Sequence, residues 1–123
     1  MRAAAYIART RSLPFEEGRT DCALWAASFW QELTGVDPAR DLRGTYATAF
    51  ERRRIVMAAG GLERLCRKLM AGFRFGETEE GICVARVDGM TVCGILSGGR
   101  LFLKTGRGVW SPERFTLLAG WGA

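Results

Sequence analysis

Between Thr20 and Gly35 the chain carries apolar residues almost all the way round a helical cylinder, and no other stretch narrows the possible folds as much. Cys22, Trp25, Ala26, Phe29 and Leu33 recur at offsets of three and four, which puts them on one face. Leu24, Ala27 and Trp30 carry the apolar surface well beyond that face. A helix of this kind cannot sit on a surface with one side in water. It has to be central and covered from several directions. Thr20 or Asp21 can accept hydrogen bonds from the free N–H groups of its first turn, and Gly35 is suited to end it.

The rest of the chain supplies the cover. Residues 3–11 read as a short helix stopped before Pro14, because proline disfavours the helical conformation in the residue before it. Asp37-Pro38 marks a turn. A third helix is expected from Thr45 to Ala59, broken by Gly60-Gly61, after which Leu62, Leu65, Cys66, Leu69 and Met70 form another helical stripe. The periodicity then changes between Gly72 and Gly81. Ile82 to Val87 and Met90 to Leu96 are strand-prone runs separated by Asp88-Gly89, a two-residue hairpin signal. Gly98-Gly99 repeats the device before Arg100 to Lys104, and Thr116 to Trp121 offers a last strand. Helices first and strands afterwards predict an α+β domain over residues 1–123, with N-terminal helices packed on a small antiparallel meander of four or five strands.

At 123 residues the chain has room for one core. No run reaches the roughly 20 apolar residues of a membrane helix, and the arginines at 2, 9 and 11 interrupt any signal-like apolar segment near the start. A cytoplasmic protein is the expectation, unless a phage-like particle carries it elsewhere. The net charge of +5 comes entirely from residues 1–74. Arg52, Arg53 and Arg54 form a basic run, but no aromatic base-stacking pattern accompanies it, so it reads as a solvated helix face and nucleic acid is not an expected partner. The four cysteines are scattered without a C-x-x-C pair and the chain has no histidine, which excludes a recognisable zinc motif. No metal or cofactor is expected. Free thiols are the default reading of all four.

Phe15 to Trp25 carries the most chemical information, because the loop around Gly18 delivers Cys22 to the first turn of the central helix. Free N–H groups and the positive end of a helix dipole stabilise a thiolate there. Thiol hydrolases use such a cysteine with a histidine base, which this chain lacks. Asp21 and Trp25 stand beside it as candidate binding residues, with capping and core packing as their alternative roles.

Gly18 to Trp25, together with the hairpin and the Val92-Cys93-Gly94-Ile95 strand, resembles the NlpC-type papain-like cysteine peptidases in degenerate form. Closest is a small bacterial and prophage group marked by D-C-A-L-W, L-T-G-x-D-P (Leu33 to Pro38), R-G-x-Y (Arg43 to Tyr46) and G-G-L (Gly60 to Leu62). The resemblance implies a papain-like fold with Cys22 at the nucleophile position. It also implies a base at Val92, which cannot serve, and an orienting polar residue near Leu103 or Lys104. The function implied is a pseudo-peptidase module of a phage or prophage tail, binding a cell-wall peptide or a tail component without hydrolysis. Two alternatives stay open. One is an active cysteine hydrolase or acyltransferase whose base is not histidine or comes from a partner; the other is a purely structural assembly protein.

Overall fold

A computed structural model describes residues 2–76 and 78–123. Four helices precede five strands: α1 (Arg2–Thr10), α2 (Cys22–Thr34), α3 (Ala49–Ala58), α4 (Leu62–Leu69), β1 (Glu80–Val87), β2 (Met90–Ser97), β3 (Arg100–Thr105), β4 (Gly108–Trp110) and β5 (Thr116–Gly122). The class is α+β, as the change of periodicity predicts.

The sheet order is β4-β3-β2-β1-β5 and every pairing is antiparallel. Asp88 (φ 49°) and Gly89 (φ 78°) both take positive φ and join β1 to β2 in the conformation a tight hairpin requires. Strands β1 to β3 form the expected meander, and β4 extends it. β5 departs from it by returning to the far side of β1, and the three-residue β4 was not foreseen at all. The physical reason for the return lies in β1, in which the five residues from Gly81 to Ala85 are buried in succession and Val87 is buried again. Such a strand left at an edge would expose both apolar side chains and an unpaired ladder.

As its composition requires, α2 is the hub. Trp25, Phe29 and Trp30 pack on Ile82, Val84, Ile95 and Trp121, with Ala3 and Tyr6 of α1 in the same cluster. Leu24 and Ala27 face another way, against Ala39 and Tyr46. The opposite face of the sheet holds a smaller cluster built on Cys83, Ala85, Val87, Leu96, Leu101 and Leu103.

Helices α3 and α4 are held differently. Neither contains a buried residue. α3 begins at Ala49 instead of Thr45 because Thr48 caps it, accepting a hydrogen bond from the Glu51 N–H at 3.1 Å, while the Glu51 carboxylate accepts one from the Ala47 N–H. In α4, Glu63 and Arg67 form an ion pair at 2.9 Å one turn apart.

Candidate functional site

The site is built on the start of α2. Asp21, only 2% exposed, is its N-cap. One carboxylate oxygen accepts from the Leu24 N–H at 3.1 Å; the other accepts from the Gly18 N–H at 2.9 Å and from the Tyr46 hydroxyl at 2.5 Å. Gly18 has φ +80°, and a Cβ there would lie 1.9 Å from the Tyr46 carbonyl oxygen. No other residue fits this loop without displacing backbone. The Gly44 N–H donates back to the Gly18 carbonyl. A second bracket lies behind the helix, where Arg43 pairs with Asp37 at 2.6 Å and donates to the Ser28 hydroxyl at 3.0 Å. The D-C-A-L-W, D-P and R-G-x-Y segments therefore converge on one helix start. Arg43 and Tyr46 were quoted in the sequence only as parts of a motif; their structural work needed the fold to be seen.

Cys22 does not pack with Trp25 and Phe29, although the helical spacing puts them on one face. It belongs to the cluster on the far side of the sheet, beside Val92 and Cys83. Its thiol donates to the Cys93 carbonyl at 2.6 Å. The reason can be read from the ladder. β2 and β3 pair Ser97 with Arg100, Leu96 with Leu101 and Ile95 with Phe102. Continued at the same register, Cys93 would face Lys104. The pairing stops short of that pair, and it is there that the Cys22 thiol meets the Cys93 carbonyl.

That environment selects the protonated thiol. Burial pushes Cys22 up to about 12, the Asp21 carboxylate adds to the rise, and the Lys104 N–H together with the Arg52 and Lys104 charges offsets only part of it. Helix-start stabilisation of a thiolate is overridden by desolvation. Cys83 is also raised to about 12, by burial first.

Lys104 is not a solvated strand-end lysine. It is 3% exposed, and its ammonium donates to the carbonyls of Thr105 at 3.0 Å and Gly108 at 3.5 Å, within its own hairpin. Burial lowers its pKa, and the neighbouring Cys22 pulls it back up. Lys104 and Cys22 do line one cavity of about 200 Å³, with Val92, Met90 and Trp110. Trp25 lies in the core at 2% exposure, its indole N–H given to the Thr10 hydroxyl at 2.8 Å and its ring 5.6 Å from that of Tyr6. Neither it nor Asp21 has a polar side-chain group left over for a ligand.

A larger groove of about 540 Å³ opens on the other side of Cys22. Its walls are the half-buried apolar faces of α3 and α4, including Ile55, Leu62, Leu65 and Leu69, and the start of β2 at Val92. Arg52 and Arg53 stand at its rim. Arg52 is also paired with Glu17 at 2.8 Å, so the basic run ties α3 to the loop before α2.

Among the described residues no group of three or more His, Cys, Asp or Glu side chains is arranged to hold a metal ion, and no helix is long and apolar enough to cross a membrane. No curated protein and no solved structure matches the chain. The family model described as a domain of unknown function, DUF6950, matches residues 1–123, and the protein belongs to that family.

Proposed function

We propose that the protein is a non-hydrolytic binding module on a papain-like scaffold, a pseudo-peptidase of a phage or prophage tail that takes a cell-wall peptide or a segment of a tail component into the groove beside Cys22. The observation carrying this reading is the bond from the Cys22 thiol to the Cys93 carbonyl. A nucleophile must lose its proton to a base. Here the proton is committed to a backbone carbonyl, the position that the resemblance assigns to a base is Val92, and the thiol is held near 12. At neutral pH the thiolate fraction is on the order of one in a hundred thousand. The groove has the volume of a ligand site, and Arg53 at its rim suits a carboxylate of a peptide.

The competing enzyme reading draws on Lys104, a buried amine with a lowered pKa on the same cavity as Cys22. Its ammonium faces the carbonyls of its own hairpin instead of the sulfur, which favours a structural role.

Titration calorimetry with purified cell-wall stem peptides and with tail-component peptides tests the proposal. Saturable binding, lost in Leu65→Arg and unaccompanied by cleavage, is the expected result. Turnover abolished by Cys22→Ala would establish the enzyme instead. A protein that binds neither class of peptide but assembles into particles would be a structural component.

A further inference from the structure

Cysteines that are far apart in sequence converge beside the groove. Cys66 on α4 and Cys93 on β2 are 27 positions apart, yet their sulfur atoms lie 3.4 Å from each other in thiol–thiol contact. Both are free thiols. A disulfide needs roughly 2.0 Å between sulfurs, so the gap to be closed is about 1.4 Å. The two sides differ in how easily they move. Cys93 is buried in a central strand paired with β1, across from Val84. Cys66 is half-buried on a helix with no buried residue. Both line the groove, so a solute entering it meets Cys66. The two other cysteines are placed differently: Cys22 also lines the groove but its thiol is given to the Cys93 carbonyl, and Cys83 is buried in the cluster on the other face of the sheet.

We propose that Cys66 and Cys93 form a reversible redox pair whose disulfide pins α4 to β2 and fixes the width of the groove. The oxidant is a low-molecular-weight disulfide. The Cys66 thiolate attacks one of its sulfurs, breaking that S–S bond and releasing one small thiol, which leaves a mixed disulfide on Cys66. Cys93 then loses its proton and attacks the Cys66 sulfur, expelling the second small thiol. Two protein thiols are oxidised, one small disulfide is reduced to two thiols, and the two protons leave on those products. Capture of Cys66 also removes its hydrogen bond to Cys93, the foremost cause of that thiol's reluctance to ionise. The pair does not depend on what the groove binds.

The test uses the full-length reduced protein equilibrated with glutathione and glutathione disulfide at graded ratios, followed by alkylation, digestion and mass spectrometry. The expected product has lost two hydrogens and yields a Cys66–Cys93 cross-linked peptide, with Cys22 and Cys83 still alkylated. Amide exchange in α4 should slow by about tenfold or more in the oxidised protein, because the cross-link suppresses local opening, and dithiothreitol should restore the original rate. Cys66→Ala should give no intramolecular cross-link while its circular dichroism matches the wild type. Accumulation of a stable glutathione adduct on Cys66, a Cys22–Cys83 link, or a cross-link that leaves α4 exchange unchanged would each overturn the proposal.

Discussion

Helix α2 is apolar almost all round and helix α4 carries a single apolar stripe, and the molecule treats them in opposite ways. α2 buries six of its 13 residues and is clamped at its start by a carboxylate that three donors satisfy. α4 buries none of its eight residues, has no side-chain cap at its start and lies with one apolar stripe over a groove. The first is a structural axle. The second is a wall that can shift without dismantling the core, because the free energy of a local opening follows the apolar contacts that it breaks. Stability and adaptability are thus assigned to separate helices, with Cys22 and Cys93 at the junction between them.

Substitutions can break this contrast or sharpen it. Trp25→Ala should cost about 3–5 kcal/mol by urea denaturation, since a fully buried aromatic leaves a cavity that the hub cannot collapse. A cost below about 1 kcal/mol would mean that α2 is not the axle. Gly18→Ala should cost about 2–3 kcal/mol and loosen Tyr46, because the new Cβ meets the Tyr46 carbonyl oxygen in a backbone conformation that alanine resists. Quenching of the Tyr46 hydroxyl's exchange protection by that variant is the accompanying signature.

Cys22→Ala removes the bond from α2 to the Cys93 carbonyl of β2 and should cost about 1–3 kcal/mol, as that carbonyl loses its partner. Cys22→Ser keeps a donor and an acceptor and should cost less. An alanine variant as stable as the serine variant would break the idea that the thiol is a strand pin. The same residue has a pH signature. Cys22 and Cys83 ionise at about 9 in an ordinary setting and are held to about 12 here. The native state keeps protons that the unfolded chain releases, so their contribution to stability is complete below pH 9 and is lost as the pH rises from about 9 to about 12. Thermal melts should fall along that limb, and Cys22→Ser should make the fall shallower.

The smallest effect belongs to the other helix. Leu65→Ala should cost under about 1.5 kcal/mol, because its side chain is already part-exposed and its removal widens a groove instead of opening a void. A loss equal to that of Trp25→Ala would show that α4 is part of the core after all.

Much of this arrangement was legible along the chain. The all-round apolar run announced the axle, Asp88-Gly89 announced the first hairpin, and the stripe from Leu62 to Met70 announced α4 nearly to its ends. The start of α3 was misplaced because Thr48 competes successfully as a cap and Tyr46 is drawn off to Asp21. β4 escaped notice because three residues carry too little periodicity to register. The site was legible only in its first member: Cys22 was placed correctly at the helix start, but the helical face that it shares with Trp25 and Phe29 gave no sign of the second cluster. Periodicity describes the face of a cylinder and not which neighbour the end of that face meets.

What the sequence determined by itself is therefore local: which segments are helices and strands, where the glycines force turns, that the central helix must be enclosed, and that no histidine is present to serve as a base. These follow from interactions within a few residues, where spacing along the chain is also distance in space. Only the tertiary structure decided that the Cys22 thiol ties α2 to β2, that Lys104 is buried against carbonyls, and that Cys66 and Cys93 touch. The two cysteine contacts join segments whose separation is set by the packing of α4 and the sheet on α2, and the burial of Lys104 depends on what covers its hairpin; a linear pattern carries no measure of either.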